Sequence, residues 1–182
     1  MRELSLHILD IAQNSIAASA SLVGISIDEK PAEDLLRIII TDNGRGIPQS
    51  MLKQITDPFY TTRKTREVGL GLSLFAQAAQ RAGGDLVVKS TVGVGTEVTA
   101  TFIYHHLDRA PIGDIAGTLH GLILMNPEID IIYQHTYEDS IFTLDTRDIK
   151  AELGGVPINH QAVTMWLRKF ITQGLEDLYG GE

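Results

Sequence analysis

The sequence is organised around Asp42-Asn-Gly-Arg-Gly-Ile-Pro48, a polar stretch that contains two glycines. It directly follows the apolar run Leu35–Ile40, which predicts a buried strand. Asp42 would then stand at the edge of the core, and Gly44 and Gly46 would let the backbone come close to a ligand. Such a stretch can hold a flat polar group against bare backbone, although Asp, Asn and Gly also build ordinary surface turns.

Composition narrows the class of protein. With 182 residues, of which 43% are hydrophobic, the chain can bury a core as one domain or as one domain with an appendage. The net charge of −8 and the lack of a basic block give no indication of a nucleic-acid surface. There is no cysteine, and the apolar runs are too short for a membrane span. We therefore expect a cytoplasmic protein without a membrane or nucleic-acid partner.

Residues 3–20 predict a helix with apolar faces on both sides of a narrow polar stripe. The stripe consists of His7, Asp10 and Asn14, and the last two lie one turn apart on the same side. It fits the wall of a pocket, and it fits equally the solvated side of an amphipathic helix.

Glycine-rich stretches follow in the middle of the chain. Residues 57–64 predict a long ordered loop, for which a lid is one common role. Gly69-Leu-Gly-Leu72 opens a predicted helix, and bare glycine backbone at a helix N-terminus makes an anion site. Residues 91–96 form a second glycine turn between two predicted strands. The fixed order of these motifs, Asn14 and Asp42 along the chain is a far more specific signal than any one of them alone.

Together the stretches resemble the boxes of the GHKL ATP-binding family, which includes gyrase-type topoisomerases, heat-shock chaperone ATPases, histidine kinases and mismatch-repair ATPases. The resemblance covers about residues 3–104 and is closest to the histidine-kinase branch. The matching segments are Asp10-Ile-Ala-Gln-Asn14 (N box), Asp42-Asn-Gly-Arg-Gly46 (G1 box), Pro58-Phe-Tyr-Thr-Thr-Arg63 (F box), Gly69-Leu-Gly-Leu72 (G2 box) and Gly93-Val-Gly-Thr96.

The resemblance implies an α+β fold for residues 1–104. This is a two-layer sandwich of the Bergerat type, with helices on one face of a mixed, mostly antiparallel sheet and ATP between the helices and the lid. Residues 105–182 match no further family and are predicted to be a C-terminal α/β extension that packs on this domain. Its hairpin, over about residues 129–145, would extend the sheet or form a small subdomain.

Two smaller expectations concern the extension. The last predicted helix, from about residue 159 to 179, carries apolar side chains at helical spacing, and we expect them in the core. They are Val163, Trp166, Leu167, Phe170 and Ile171. His105, His106 and Asp108 lie close together in sequence, either as a polar strand exit or as a metal site.

The resemblance also implies roles in nucleotide binding. Asp42 would accept a hydrogen bond from the adenine amino group, and Asn14 would give its amide oxygen to Mg²⁺. Thr96 would form a hydrogen bond to the edge of the base or to a water beside Asp42. The implied ATP-binding positions are Asn14, Asp42, Gly44, Gly46, Ile47, Thr62, Arg63, Gly69, Leu70, Gly71, Leu72 and Thr96.

Two departures from the family bear on catalysis. Asp10 stands where the ATPase branches have a glutamate as general base, so the carboxylate is one methylene closer to the backbone. It is a base, a ligand to Mg²⁺-bound water, or an unreactive polar contact. The first helix begins at the first residues, and we therefore expect any phospho-acceptor on another protein.

The sequence thus leaves two main functions open. One is a Mg-ATP-binding regulatory protein kinase or ATPase that acts on a separate partner, similar to the anti-sigma serine kinases. The alternative is a nucleotide-gated binding module with little or no turnover. A slow ATPase that forms a homodimer on ATP is a third, and the oligomeric state stays open.

Overall fold

The computed structural model describes residues 3–55 and 70–180, which form six α-helices and six strands. The helices are α1 Leu4–Ala17, α2 Gln49–Ile55, α3 Leu70–Arg81, α4 Ile115–Met125, α5 Thr146–Glu152 and α6 Gln161–Leu178. The strands are β1 Leu22–Lys30, β2 Leu35–Asp42, β3 Leu86–Thr91, β4 Gly95–Ile103, β5 Asp130–Tyr137 and β6 Ser140–Asp145.

The six strands form one sheet in the order β3-β4-β2-β1-β5-β6. All neighbours are antiparallel except β1 and β5, which run parallel. Along β1 every second side chain is buried, as expected for a strand with one face on the core. The predicted mixed, mostly antiparallel α+β architecture is confirmed.

The hairpin β5-β6 extends the sheet and does not form a separate subdomain, which decides between the two alternatives for the C-terminal extension. Strand β5 pairs with β1 from Leu22↔Asp130 to Glu29↔Tyr137, so main-chain hydrogen bonds join the two predicted parts of the chain. The division into domains at residue 104 stays a prediction.

Helix α1 packs against α3 and corrects our interpretation of its polar stripe. His7 is buried, and its ring stacks on Phe75 with centroids 5.1 Å apart. Asp10 is half-buried and Asn14 is exposed. The three residues therefore do not form one wall: His7 belongs to the interface between the helices, because the ring lies one turn deeper than Asp10 and finds an aromatic partner there.

The expectation for the last helix is right for three of the five side chains. Val163, Leu167 and Ile171 are buried in α6, but Trp166 is 49% exposed and Phe170 is 38% exposed. The last two stack on each other with centroids 5.2 Å apart. They lie about 100° around the helix from the buried stripe, so that they border the core instead of filling it.

Residues 104–108 form a polar strand exit. His105 contacts Asp34 through its backbone N–H and through Nδ1, at 2.8 and 2.9 Å, and the N–H of Asp108 donates to Nδ1 of His106. Within residues 3–55 and 70–180 no cluster of three His, Cys, Asp or Glu residues is suited to a metal ion. Over the same ranges no helix has the length and apolar character needed to cross a membrane.

Candidate functional site

The carboxylate of Asp42 is held at the end of β2 by donors from two parts of the chain. Ser15 Oγ donates to Asp42 Oδ2 at 2.6 Å, and the N–H of Gly44 donates to Oδ1 at 2.9 Å. Ser15 lies on α1 directly after Asn14 and is buried. Helix α1 and the loop after β2 therefore fix the orientation of this carboxylate together.

The glycine loop after Asp42 lies against the backbone of other elements. Gly46 has φ +71°, and an added Cβ would collide with the carbonyl oxygen of Thr91. A Cβ on Gly44 would stand 2.8 Å from the carbonyl oxygen of Ala18. The N–H of Arg45 donates to that same oxygen at 2.9 Å. Larger residues would push the loop away from α1 and from the turn after β3.

Thr96 lies beside Asp42, its partner in the pairing of β2 with β4. Ser90 Oγ is 2.9 Å from Thr96 Oγ1, donates to the carbonyl of Gly95, and accepts the N–H of Ile47 at 2.8 Å. A hydroxyl has one proton. When Ser90 gives it to Gly95, Thr96 donates to Ser90 and keeps its own lone pairs free for a ligand or a water.

Gly71 brings the first turn of α3 against α1. A Cβ at Gly71 would lie 3.1 Å from Cβ and 3.4 Å from Oδ2 of Asp10, and 3.7 Å from Nδ2 of Asn14. The two segments are more than fifty residues apart in sequence. A polar pair therefore faces the N-terminal turn of a 12-residue helix, the end of a helix that carries positive partial charge.

His7 lies on α1 one turn before Asp10. Burial lowers its pKa, so the ring is neutral at pH 7. Its Nδ1 has no hydrogen-bond partner among the residues that the structure describes. The ring therefore acts in packing, and it adds no positive charge to the carboxylate one turn above it.

Some of the predicted site residues lie in the segments described above, and others lie outside the described residues. Asn14, Asp42, Gly44, Gly46, Ile47, Gly71 and Thr96 lie on the segments just described. Leu72 is buried in the core, so that only its backbone can face a ligand, and Leu70 begins α3. Thr62, Arg63 and Gly69 lie outside the described residues.

Sequence reasoning missed Ser15 and Ser90 as site residues. Both are buried serines whose hydroxyl groups hold a neighbour in place. The position of Ser15 next to Asn14 was the one available signal. Nothing local distinguishes Ser90 from other polar residues of a strand, since its partners come from a loop more than forty residues earlier and from the next strand.

Comparison with known proteins identifies the family. A family model described as histidine kinase-, DNA gyrase B-, and HSP90-like ATPase matches residues 2–106. A putative sensor protein of Shewanella frigidimarina is 34% identical over 103 residues, which is 56% of this chain and 16% of that protein. Sensor histidine kinase WalK of Bacillus subtilis is 39% identical over 87 residues, 45% of this chain and 14% of that protein. The match thus spans about one sixth or less of either relative.

A solved structure supports the fold over nearly the whole chain. The crystal structure of the N-terminal domain of a DNA repair protein superposes with a TM-score of 0.57 at 15% identity, covering 98% of this chain and 57% of that one. The family match covers more than half of the sequence and includes the segments that meet around Asp42 and Gly71. This chain therefore belongs to the GHKL family of histidine kinase-, gyrase B- and HSP90-like ATPases.

Proposed function

We propose that this chain binds Mg-ATP and acts as a regulatory protein kinase or ATPase on a separate partner protein in the cytoplasm. The observation that carries the proposal is the placement of Asp42, between Ser15 and Gly44, at the end of a core strand. The same helix that holds Asp42 carries Asp10 and Asn14 against Gly71. A base site and a phosphate site would thus share α1 as one wall.

Adenine selectivity would come from Asp42. An ionised carboxylate has about four lone-pair positions, and the bonds from Ser15 and Gly44 use two of them. The remaining positions can accept the exocyclic amino group of adenine. Guanine has a carbonyl at that place and would set oxygen against oxygen. Thr96, beside Asp42, would hold the base edge or a bridging water.

The triphosphate would lie at the N-terminus of α3. The N–H groups of its first turn, that of Gly71 among them, suit an anion. The amide oxygen of Asn14 and the carboxylate of Asp10 are hard oxygen donors on the adjoining turn of α1, and Mg²⁺ prefers such ligands. The residues present therefore fit a magnesium ion, which would neutralise phosphate charge when bound.

Asp10 decides between a kinase or ATPase and a gated module. Gly71 lies against its Cβ, which restrains a carboxylate that is already one methylene shorter than the family's glutamate. As general base, Asp10 would accept a proton from a water or from a hydroxyl or imidazole of the partner. If it is too short for that, the nucleotide would order the site without turnover. The sensor kinases that the chain resembles favour the first function.

Binding is tested by titration calorimetry with Mg-ADP and a non-hydrolysable ATP analogue, with GTP as control. We expect adenine-selective binding that needs Mg²⁺, and a loss of about tenfold or more in Asp42→Asn, because an amide leaves one acceptor oxygen for the three donors, Ser15, Gly44 and the adenine amino group, that the carboxylate would serve. Asp139→Asn, in the exposed β5-β6 turn, is the matched control. Equal affinity of the Asp42 and Asp139 variants would remove Asp42 from the site.

Turnover is tested by phosphate release from the wild type, Asp10→Asn and Asp10→Glu. If Asp10 is a base, Asn lowers the rate about a hundredfold or more while Glu keeps or raises it. A rate that neither change alters, in protein that still binds nucleotide, shows that Asp10 is not a base. Binding without measurable turnover in any variant supports the gated module.

A further inference from the structure

Strand β6 is the last strand of the sheet, and its outer side pairs with no other described strand. The main-chain N–H groups of Asp130 and Glu138 donate to β1, so the alternate residues between them face β6. The register of the hairpin then turns the main-chain N–H and C=O groups of Ile141 and Thr143 outward. This side, here called the outer edge of β6, therefore offers main-chain donors and acceptors to a further strand.

The opposite edge of the sheet is protected, in contrast to the outer edge of β6. Strand β3 carries Lys89, and Gln49 Nε2 of α2 donates to the carbonyl of Ser90 at 3.5 Å. A lysine and a neighbouring helix are common means of keeping an edge strand from pairing with another chain. Strand β6 reads Ser-Ile-Phe-Thr-Leu-Asp, without lysine, arginine, proline or glycine. Its composition therefore favours pairing.

Two aromatic side chains of α6 border this edge. Gly174 brings α6 against β6, since an added Cβ would collide with the ring of Phe142. The Phe142 ring contacts Phe170, with centroids 5.7 Å apart, and Phe170 stacks on Trp166.

Helix α4 packs on one flank of α6, the flank of Leu175. Trp166 and Phe170 lie on the opposite flank, which looks past the last strand of the sheet. Both rings are partly exposed there. Exposed aromatic rings beside outward-facing main chain are typical of a binding surface, because large rigid side chains supply much of the contact energy at interfaces.

The turn end of the outer edge is acidic. The rings of Tyr137 and Tyr179 have centroids 4.9 Å apart, which places the end of α6 beside the β5-β6 turn. Asp139 lies in that turn, and Asp177 follows Phe170 on the same flank of α6 at helical spacing. Both carboxylates are exposed, and neither forms an ion pair within the described ranges. A strand that adds to β6 thus meets negative charge at this end, which a lysine or arginine would complement.

We propose that the outer edge of β6 binds an extended segment of a partner protein as an additional strand of the sheet. The segment runs antiparallel to β6. It covers Trp166 and Phe170 with apolar side chains at alternate positions, and it carries lysine or arginine at its C-terminal end, beside Asp139 and Asp177. Main-chain hydrogen bonds supply affinity, and the aromatic rings and the acids select the segment. The contact uses no residue of the proposed nucleotide site and goes beyond the proposed function.

Fluorescence anisotropy with two labelled peptides tests the proposal on the full chain without nucleotide. One peptide reads Thr-Val-Thr-Val-Thr-Val-Lys-Lys, and the other ends in Glu-Glu instead. We expect saturable binding of the lysine peptide and about tenfold or more weaker binding of the glutamate peptide. Asp139→Lys combined with Asp177→Lys should reverse this preference. The emission of Trp166, the one tryptophan of the chain, should shift to shorter wavelength as the peptide covers it.

Thr143→Pro tests the main-chain contact. Proline removes the outward N–H and is tolerated where the N–H of an edge strand faces solvent, so we expect a folded protein whose affinity for the lysine peptide falls about tenfold or more. Thr143→Val keeps the N–H and is the matched control, with affinity as in the wild type. Circular dichroism confirms that each variant is folded.

Trp166→Ala tests the aromatic border and leaves the main chain of β6 unchanged, so it serves even if Thr143→Pro does not fold. We expect about tenfold weaker binding of the lysine peptide, because a large contact area is lost. Met165→Ala removes an exposed apolar side chain from the outer side of the same helix and should leave the affinity unchanged.

Three outcomes would overturn the proposal. The first is a wild type that does not bind the lysine peptide, or that binds both peptides equally. The second is equal affinity of folded Thr143→Pro and Thr143→Val. The third is a chain that sediments as a dimer by itself and as a monomer in Thr143→Pro, because the edge would then be occupied by a second copy and not by a segment of a partner.

Discussion

At the scale of single residues, Asp42 shows how a carboxylate is prepared for one ligand orientation. Ser15 and Asp42 are 27 positions apart, and their 2.6 Å hydrogen bond crosses from a helix to the end of a strand. Gly44 adds a main-chain donor on the other oxygen. Because both oxygens are held by hydrogen bonds, the side chain of Asp42 is already ordered before adenine binds. The entropic cost of binding is therefore lower.

Ser15→Ala should weaken the binding of the ATP analogue about fivefold. The change removes one hydrogen bond to a charged group, worth about 1 kcal/mol, and leaves the carboxylate free to rotate. Titration calorimetry measures the loss, with the exposed Ser140→Ala as the matched control. An unchanged affinity in Ser15→Ala would show that Gly44 alone is sufficient to orient Asp42.

At the scale of elements, the contact between α1 and α3 forms the phosphate side of the site. Gly71 allows the first turn of α3 to lie against Asp10 and Asn14, with a hypothetical Cβ only 3.1 Å from Asp10 Cβ. Deeper in the same interface His7 stacks on Phe75, which sets the distance between the two helices. Polar residues of α1 thus stay close to the N-terminal turn of α3.

Gly71→Ala and Gly121→Ala should have opposite effects. Gly121 lies inside α4, and among the described residues outside its own stretch of helix no atom comes within 4 Å of an added Cβ, so alanine should stabilise the protein by about 0.5–1 kcal/mol. At Gly71 the methyl group pushes α3 from α1, which cancels that gain and lowers affinity for the ATP analogue.

Thermal unfolding and calorimetry on both variants measure these effects. For a chain of this size the gain in Gly121→Ala corresponds to a rise in Tm of about 1–4 °C. If Gly71→Ala shows the same rise and binds nucleotide normally, the approach of the two helices is not restrictive.

At the scale of the whole molecule, one buried carboxylate joins the ATP-binding part to the C-terminal part. Glu29 on β1 accepts from His135 Nε2 on β5 at 2.8 Å, from Tyr104 after β4 at 3.1 Å, and from Tyr179 after α6. His135 in turn contacts the hydroxyl of Tyr133 through Nδ1 at 2.8 Å. Glu29 and His135 are both buried, so the centre of the network is shielded from water, and half-exposed Tyr179 attaches the end of the last helix to it.

The hydrogen bonds determine the charge of Glu29. Burial by itself would raise its pKa, but the bonds from His135 and Tyr179 outweigh burial and lower the pKa below the usual 4.5. Burial and the nearby Glu29 carboxylate raise the pKa of Tyr104 to about 12, so that this phenol remains a donor. A carboxyl whose pKa is depressed by folding stabilises the protein above its unfolded pKa, and this stability is lost as pH falls through the folded value.

Glu29→Gln should destabilise the protein by about 2–4 kcal/mol at neutral pH, since it leaves buried donors without their anionic acceptor. The difference from the wild type should shrink as pH falls from about 5 towards 3, because only the wild type loses the charge. Urea unfolding at several pH values measures both effects. Glu128→Gln, on an exposed side chain, is the control. Parallel pH profiles of wild type and Glu29→Gln would contradict the role of the carboxylate.

The sequence by itself determined the strands and helices of the chain and the family to which it belongs. These rest on local patterns: the apolar run of β2, helical spacing in α1 and α6, and glycines where the backbone needs them. The order of the boxes identified the ATP-binding part because each box is a short, contiguous stretch.

Only the tertiary structure decided how these stretches meet. It put β5 parallel to β1, turned Trp166 and Phe170 outward, and assigned Ser15 and Ser90 to the site. It also joined Glu29 to His135 across 106 positions. No local pattern encodes such contacts, because each depends on which face of one element packs on which face of another, and packing of the whole core sets that choice.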